Sequence, residues 1–159
     1  MSPGGSAIVF CLSGLLPSHR CERLGLVSLS YLWQREQHGL LQDMCDSPLQ
    51  AVLIKVASLG LKVSHLGQSI QQLQPLFTSL HQKFGFHVCG EGGEYESLTL
   101  DSPLFIKRIV LDATEQVVES DDPFAPVAYL KIVSFHLEDK PSRSPERQRM
   151  DQIEELAHS

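Results

Sequence analysis

The chain is 159 residues long, 42% hydrophobic, and carries 13 basic against 19 acidic residues for a formal charge of −6. That is about one domain with a modest core, and the acidic balance argues against the clustered Lys and Arg of a nucleic-acid footprint. Cys11, Cys21, Cys45 and Cys89 are widely spaced with no Cys-x-x-Cys, so the thiols read as reduced and cytosolic rather than as a zinc ribbon or a disulfide framework.

Residues 1–19 open Met-Ser-Pro-Gly-Gly-Ser and continue with a mostly apolar run, Ala7 to Leu16. No positive residue precedes the run and no small-x-small cleavage site follows, which argues against a signal peptide. The run is also about half the roughly 20 apolar residues that a membrane span needs. It reads as a buried strand or a disordered leader. Arg20 to Gly25 reads as the end of a helix capped by Gly25. Val27, Leu29 and Tyr31 then alternate with Ser28, Ser30 and Leu32 as a strand does.

Arg35 to Asp46 carries Leu40, Leu41 and Met44 at helical spacing, closed by Ser47-Pro48. Ala51 to Val56 is a short apolar strand rich in β-branched residues, with Lys55 inside it. That lysine either snorkels along the sheet or faces a ligand. From Ser69 to Phe84 the residues Ile70, Leu73, Leu76, Phe77, Leu80 and Phe84 trace one helical face. Pro75 predicts a kink or a fresh helix start, since it has no N–H to donate. Gly85 stops the helix, and Phe86 to Cys89 reads as a strand.

Gly90 to Ser97 reads Gly-Glu-Gly-Gly-Glu-Tyr-Glu-Ser, three carboxylates among three glycines and a tyrosine. Residues without a Cβ take positive φ and let a backbone approach a ligand closely, so Gly90, Gly92 and Gly93 predict a sharply turned loop. An extended continuation sets Glu94 and Glu96 on one face with Tyr95 opposite. Carboxylates this close repel; at an effective dielectric of 20, unit charges 4 Å apart interact by about 4 kcal/mol. Glu91, Glu94 and Glu96 are therefore either well solvated, as on an acidic surface turn, or matched to a cation. His65, His81, His87 and His136 do not pair at metal-ligand spacing, and His87-Val88-Cys89 lacks the downstream Cys pair of a zinc deaminase.

Asp101-Ser102-Pro103 is a turn signal. Phe105 to Leu111, Gln116 to Glu119 and Val127 to Leu137 read as successive strands, the first two forming a hairpin. Runs of strands with few helices between them predict an α+β fold with a mainly antiparallel sheet and two or three helices. From Glu138 to Ser159 the chain has two prolines, many charges and little apolar surface, a composition that predicts disorder. There are no internal repeats.

The run His87-Val88-Cys89-Gly90-Glu91-Gly92-Gly93-Glu94-Tyr95-Glu96-Ser97-Leu98-Thr99-Leu100-Asp101-Ser102-Pro103-Leu104-Phe105 resembles the signature of the diphthine–ammonia ligase family. The likeness extends, in order, through Leu24-Gly25-Leu26, Tyr31 to Arg35, Ile54 to Ala57, His65-Leu66-Gly67 and Phe124 to Leu130, about residues 20 to 140 in all. The family opens with a nucleotide-binding domain of the ATP pyrophosphatase group, whose phosphate loop reads Ser-Gly-Gly-Lys-Asp-Ser. Here the nearest counterpart is Leu12 to Ser18, which lacks the second Gly, the Lys and the Asp. A phosphate cradle needs inward N–H groups and a nearby cation; Pro17 and the leucines supply neither. The resemblance thus implies residues 1–19 as a divergent leader, 20–34 as the stub of a Rossmann-like nucleotide-binding domain, 35–138 as the substrate-side domain and 139–159 as a tail.

The resemblance further implies a cytoplasmic, ATP- and magnesium-dependent ligase that uses ammonium to amidate diphthine, a modified histidine bearing a trimethylammonium group, on translation elongation factor two. Such a cation is recognised by aromatic faces and negative charge. Glu91, Glu94 and Glu96 become the catalytic candidates, with Gly90, Gly92, Gly93, Tyr95 and Lys55 on the substrate side and some of the carboxylates also candidates for magnesium on ATP. With the ATP loop missing, the chain is expected to be inactive alone. A noncatalytic module that binds the elongation factor or a full-length ligase is the alternative; a hydrolase with paired carboxylates as acid and base is a third. No nucleic acid or membrane enters either of the first two readings.

Overall fold

The computed structural model describes residues 8–10, 23–25, 27–29, 32 and 34–140. The Leu12 to Ser18 loop, Tyr31, Trp33 and the tail from 141 to 159 lie outside them. The chain divides into two compact units, Met1–Leu40 and Leu41–Ser159. In the first, β1 (Ile8–Phe10) pairs in parallel with β2 (Val27–Leu29), Ile8 opposite Val27. The strand expected from Val27 is present over Val27–Leu29. Gly25 has φ 67°, the left-handed conformation its capping role needs.

Helix α1 (Gln37–Asp46) begins where the Glu36 carboxylate accepts the N–H groups of His38 and Gly39 at 2.8 and 2.6 Å, satisfying donors that a helix start leaves orphaned. It buries Leu41. β3 (Gln50–Val56) follows, then a single 3-10 turn at Val63–His65 and α2 (Ile70–Phe84). α2 opens on a capping box in which Ser69 and Gln72 exchange side-chain to backbone bonds at 3.2 and 2.9 Å. It ends on Gly85 at φ 70°, whose N–H reaches the His81 carbonyl at 2.9 Å.

Two details of α2 differ from expectation. Pro75 starts no new helix; it lies inside a continuous one. The missing bond to the Gln71 carbonyl is offset by Ile70, Leu73, Phe77 and Leu80, all buried. Phe84, expected on that face, is exposed at the last position of the helix, next to the Gly85 cap.

The remaining strands are β4 (Tyr95–Asp101), β5 (Lys107–Ser120) and β6 (Val127–Asp139). They join β3 in a four-stranded sheet of order β4-β3-β6-β5, antiparallel throughout. The second unit is therefore α+β, with two α-helices among the described residues counting α1, which runs into it. The hairpin expected between Phe105–Leu111 and Gln116–Glu119 is wrong: those residues form one strand, β5, and its hairpin partner is β6. The register steps from Leu111 opposite Phe135 to Ala113 opposite Ser134, so Asp112 is absorbed as a bulge rather than a reversal. Asp112-Ala113-Thr114 has no Gly or Asn to take the positive φ of a tight hairpin turn.

Strand β6 also outlasts its expected end at Leu137. It continues through Asp139, and Lys140 bonds the Asp101 carboxylate at 2.7 Å and the Ser102 carbonyl at 2.8 Å. Residues 138 and 139 thus belong to the sheet, and Lys140 is bonded beside it.

The core lies between α2 and one face of this sheet, where Leu53, Val56, Tyr95 and Ala128 join Phe77, Leu73 and Leu61. β3 buries Ala51 and Leu53 in alternation and then Val56, an odd step made by the bulge at Ile54 between Leu53 opposite Ser97 and Lys55 opposite Glu96. That bulge turns Lys55 to the opposite, outer face. Among the described residues no helix is long and apolar enough to cross a membrane.

Candidate functional site

The stretch from Phe86 to Cys89 is not a strand, contrary to the sequence reading; it is irregular and turns at Val88 and Cys89. Its backbone donors are taken locally. The His87 N–H donates to Glu94 Oε1 at 3.0 Å, the Cys89 N–H to His87 Nδ1 at 3.3 Å and the Gly90 N–H to the His87 carbonyl at 2.9 Å. With Phe86 and Val88 both buried, the segment is anchored by side chains and leaves no row of donors for a neighbouring strand.

Glu94 organises the loop. Its carboxylate accepts from His87 and, through Oε2, from the Gly92 N–H at 2.8 Å, charge-assisted bonds of the stronger kind. The Glu94 carbonyl accepts from the Ala57 N–H at 2.9 Å, tying the loop to the end of β3. Gly90 has φ 75°, and a Cβ there would meet the Tyr95 carbonyl oxygen at 3.0 Å; one on Gly92 would meet Glu94 Oε1 at 2.6 Å. The close approach that these two glycines allow is filled from within the protein. Gly93, at φ 84°, has open space beside it.

Tyr95 points inward. Only 6% exposed, its ring stacks on Phe77 at 4.7 Å and 11°, with Phe86 at 6.0 Å, and its hydroxyl donates to the Val88 carbonyl at 2.7 Å. Burial, foremost, and then the neighbouring acidic groups push that hydroxyl's pKa up. The expectation that this ring meets a substrate cation is therefore corrected: its face is used in the core, and it holds the loop in position.

Glu96, one residue on, faces outward. Lys55 Nζ lies 2.9 Å from its Oε1, a cross-strand pair with side chains 38% and 59% exposed. The hydrogen bond to Glu96 holds the lysine's pKa above its ordinary value, with Glu119 adding a smaller pull. Glu91 is exposed in the loop. The three glutamates thus have three environments: Glu94 on backbone N–H groups, Glu96 on a lysine and Glu91 toward solvent.

Beside the Lys55–Glu96 pair is a cavity of about 230 Å³ lined by Ile54, Lys55, Glu96, Glu119, Tyr129 and Leu130. It follows one row across the sheet: Glu96 on β4 is opposite Lys55 on β3, Lys55 opposite Tyr129 on β6, and Tyr129 opposite Val117 on β5. Glu119 occupies a further bulge, between Val118 opposite Ala128 and Ser120 opposite Val127. Sequence reasoning missed Glu119 and Tyr129 as lining residues, because only strand register brings them beside Lys55. It also missed His87 as an acceptor that shapes the loop.

The loop does not fit phosphate. The N–H groups of Gly90, Gly92 and Gly93 are already bonded within it, and its charged side chains are acidic. Among the described residues no group of three or more His, Cys, Asp or Glu could hold a metal ion.

Comparison with known proteins bears on this geometry. The profile of the diphthamide synthase C-terminal domain matches residues 36–132. The diphthine–ammonia ligase of Homo sapiens is 54% identical over 130 residues, covering 81% of this chain and 49% of that protein. That of Bos taurus is 55% identical over 130 residues, with the same shares covered. The Schizosaccharomyces pombe ligase is 51% identical over 125 residues, 79% of this chain but only 20% of the yeast protein. The chain spans about half the length of the mammalian relatives it matches.

Proposed function

Since this chain belongs to the diphthamide synthase C-terminal domain family, we propose that it forms the substrate-side half of a diphthine–ammonia ligase, the enzyme that converts the diphthine carboxylate on translation elongation factor two into an amide. The observation that carries this reading is the acidic loop itself. Three glutamates stand within six positions at the head of β4, and their backbone is held so firmly by Glu94, His87 and Tyr95 that the remaining carboxylates are presented rather than collapsed.

In this reading the residues divide the work. Glu94 sets the loop's shape by accepting from His87 and Gly92. Glu96 and Lys55, paired across β4 and β3, meet the substrate side chain, Lys55 offering a positive charge to its carboxylate. Glu91, exposed in the loop, attracts ammonium and accepts the proton that must leave before nitrogen can attack. Gly93, with open space beside it, admits substrate close to the backbone. Holding the carboxylate and the nitrogen in register contributes through proximity.

Activation of the carboxylate by ATP with magnesium falls outside the acidic loop, because the loop's own donors are satisfied and its side chains are acidic. The parallel pair β1 and β2 supports reading the first unit as related to a Rossmann-like nucleotide-binding domain, in which parallel strands are the rule. These residues acting alone neither bind ATP tightly nor release AMP. The setting is the cytoplasm, where elongation factor two works.

The test is amidation of diphthine-bearing elongation factor two with ammonium and ATP. It compares this chain, the chain fused to the nucleotide-binding half of a full-length relative, and that fusion carrying Glu91→Gln or Glu96→Gln. The fusion is expected to make product, the chain alone none, and both variants to lose most of the rate. Parental rates in both variants sink the assignment of the loop.

A further inference from the structure

We propose that the cavity on the outer face of the sheet is a cage for a methylated ammonium group, with the ring of Tyr129 and the carboxylate of Glu119 as its recognising elements. This rests on the ligase reading for the ligand's identity, since the diphthine side chain carries such a group, but the chemistry of the lining stands without it.

Charge comes first. The lining holds one cation and two anions: Lys55, Glu96 and Glu119. Lys55 is bound to Glu96 at 2.9 Å, so the pair is internally neutral and Glu119 gives the cavity a net charge of −1. One monovalent cation balances it. Glu119 is at a bulge, a feature that re-aims a side chain relative to a regular strand.

The rest of the lining favours a methylated cation over a bare ion. A quaternary ammonium donates no N–H bond and wants an aromatic face and apolar walls around its methyl groups. Tyr129, half-buried, supplies the ring, while Ile54 and Leu130 supply apolar surface. Tyr95 cannot do so, its ring being stacked in the core against Phe77. A metal ion would need a set of ligating groups that the described residues do not bring together.

Size agrees. At about 230 Å³ the cavity exceeds one water's share of roughly 30 Å³ several times over. It falls short of the roughly 300 Å³ at which pockets for drug-sized ligands begin. It suits the tip of a side chain and not a nucleotide.

The experiment is a titration of the 159-residue chain with tetramethylammonium chloride, read by amide and aromatic NMR spectra against sodium chloride at matched ionic strength. Saturable shifts are expected at Tyr129, Glu119 and Lys55, and none of comparable size in the Phe77 and Tyr95 rings. Tyr129→Leu weakens binding by about tenfold while Tyr129→Phe, which keeps the ring, binds nearly as the parent does. Glu119→Gln weakens it several-fold; because Glu119 is exposed, that variant keeps its fold and decides the matter should Tyr129→Leu unfold. No saturable shift at Tyr129, or equal affinity in Glu119→Gln and parent, overturns the cage. A cage that binds the probe, together with full amidation by the Glu91→Gln fusion, upholds this site and removes the part of the loop assignment that stands on Glu91. Normal dependence on Glu91 with no shift at Tyr129 removes this site alone.

Discussion

Each face of the four-stranded sheet carries a tyrosine, and the two do opposite things. On the inner face Tyr95 is stacked against aromatic neighbours with its hydroxyl bonded to a carbonyl. On the outer face Tyr129 borders a cavity beside Lys55, Glu96 and Glu119. Both lie on strands that flank β3, Tyr95 opposite Val56 and Tyr129 opposite Lys55. One face is apolar and packed, so its residues act by holding shape; the other is charged and open, so its residues are free to meet a ligand. Loss of stability should therefore follow inner-face substitutions, and loss of binding outer-face ones.

The sharpest way to break that contrast is Phe77→Ala, which removes the fully buried ring against which Tyr95 stacks. It should cost about 3–5 kcal/mol, the usual range for deleting a core aromatic, measured by urea unfolding. A cost below about 1 kcal/mol would mean that the inner face is not the fold's support. Gly90→Ala comes next. It forces a Cβ to 3.0 Å from the Tyr95 carbonyl at φ 75°, and a strained position of this kind costs on the order of 1–3 kcal/mol. The same unfolding curves check it.

Tyr95→Phe is gentler, since it keeps the stacked ring and removes only the bond to the Val88 carbonyl. A loss of about 1 kcal/mol is expected, with faster hydrogen exchange through residues 87 to 92. The smallest effect on stability belongs to the Lys55–Glu96 pair, which is solvent-exposed, screened by salt and best read by a double-mutant cycle. Because Glu96 raises the Lys55 pKa above 10.5, any stability from the pair is fully present below the unfolded lysine's pKa. It is lost as pH climbs through the higher folded value, so a cycle at pH 7 and one above pH 11 should differ in that direction. A coupling that instead grows with pH contradicts the geometry.

Much of the scaffold was legible along the chain. The stripe that begins at Ile70, the cap at Gly85 and the break at Ser47-Pro48 each depend on neighbours three or four positions apart; the last two stand as read, and the stripe does up to Leu80 but not at Phe84. The acidic loop stood out for the same reason: glycines and carboxylates in that density are poor core and poor helix. Where reading failed, the deciding partner was remote. Phe86 to Cys89 has a strand's composition, but Glu94 and His87 take its donors. Asp112-Ala113-Thr114 resembles a turn, yet twelve register pairs with β6 outweigh it and fold it in as a bulge.

The order of residues alone determined that an acidic, glycine-rich bend separates a long amphipathic helix from a run of strands, because helical periodicity, capping and positive φ are local properties. Which tyrosine faces the core, which glutamate meets a lysine and which meets backbone N–H groups were decided only by the tertiary structure. Those outcomes turn on strand register and on single-residue bulges at Ile54 and Glu119. One extra residue in a strand sends every later side chain to the opposite face, and nothing in the local sequence announces it.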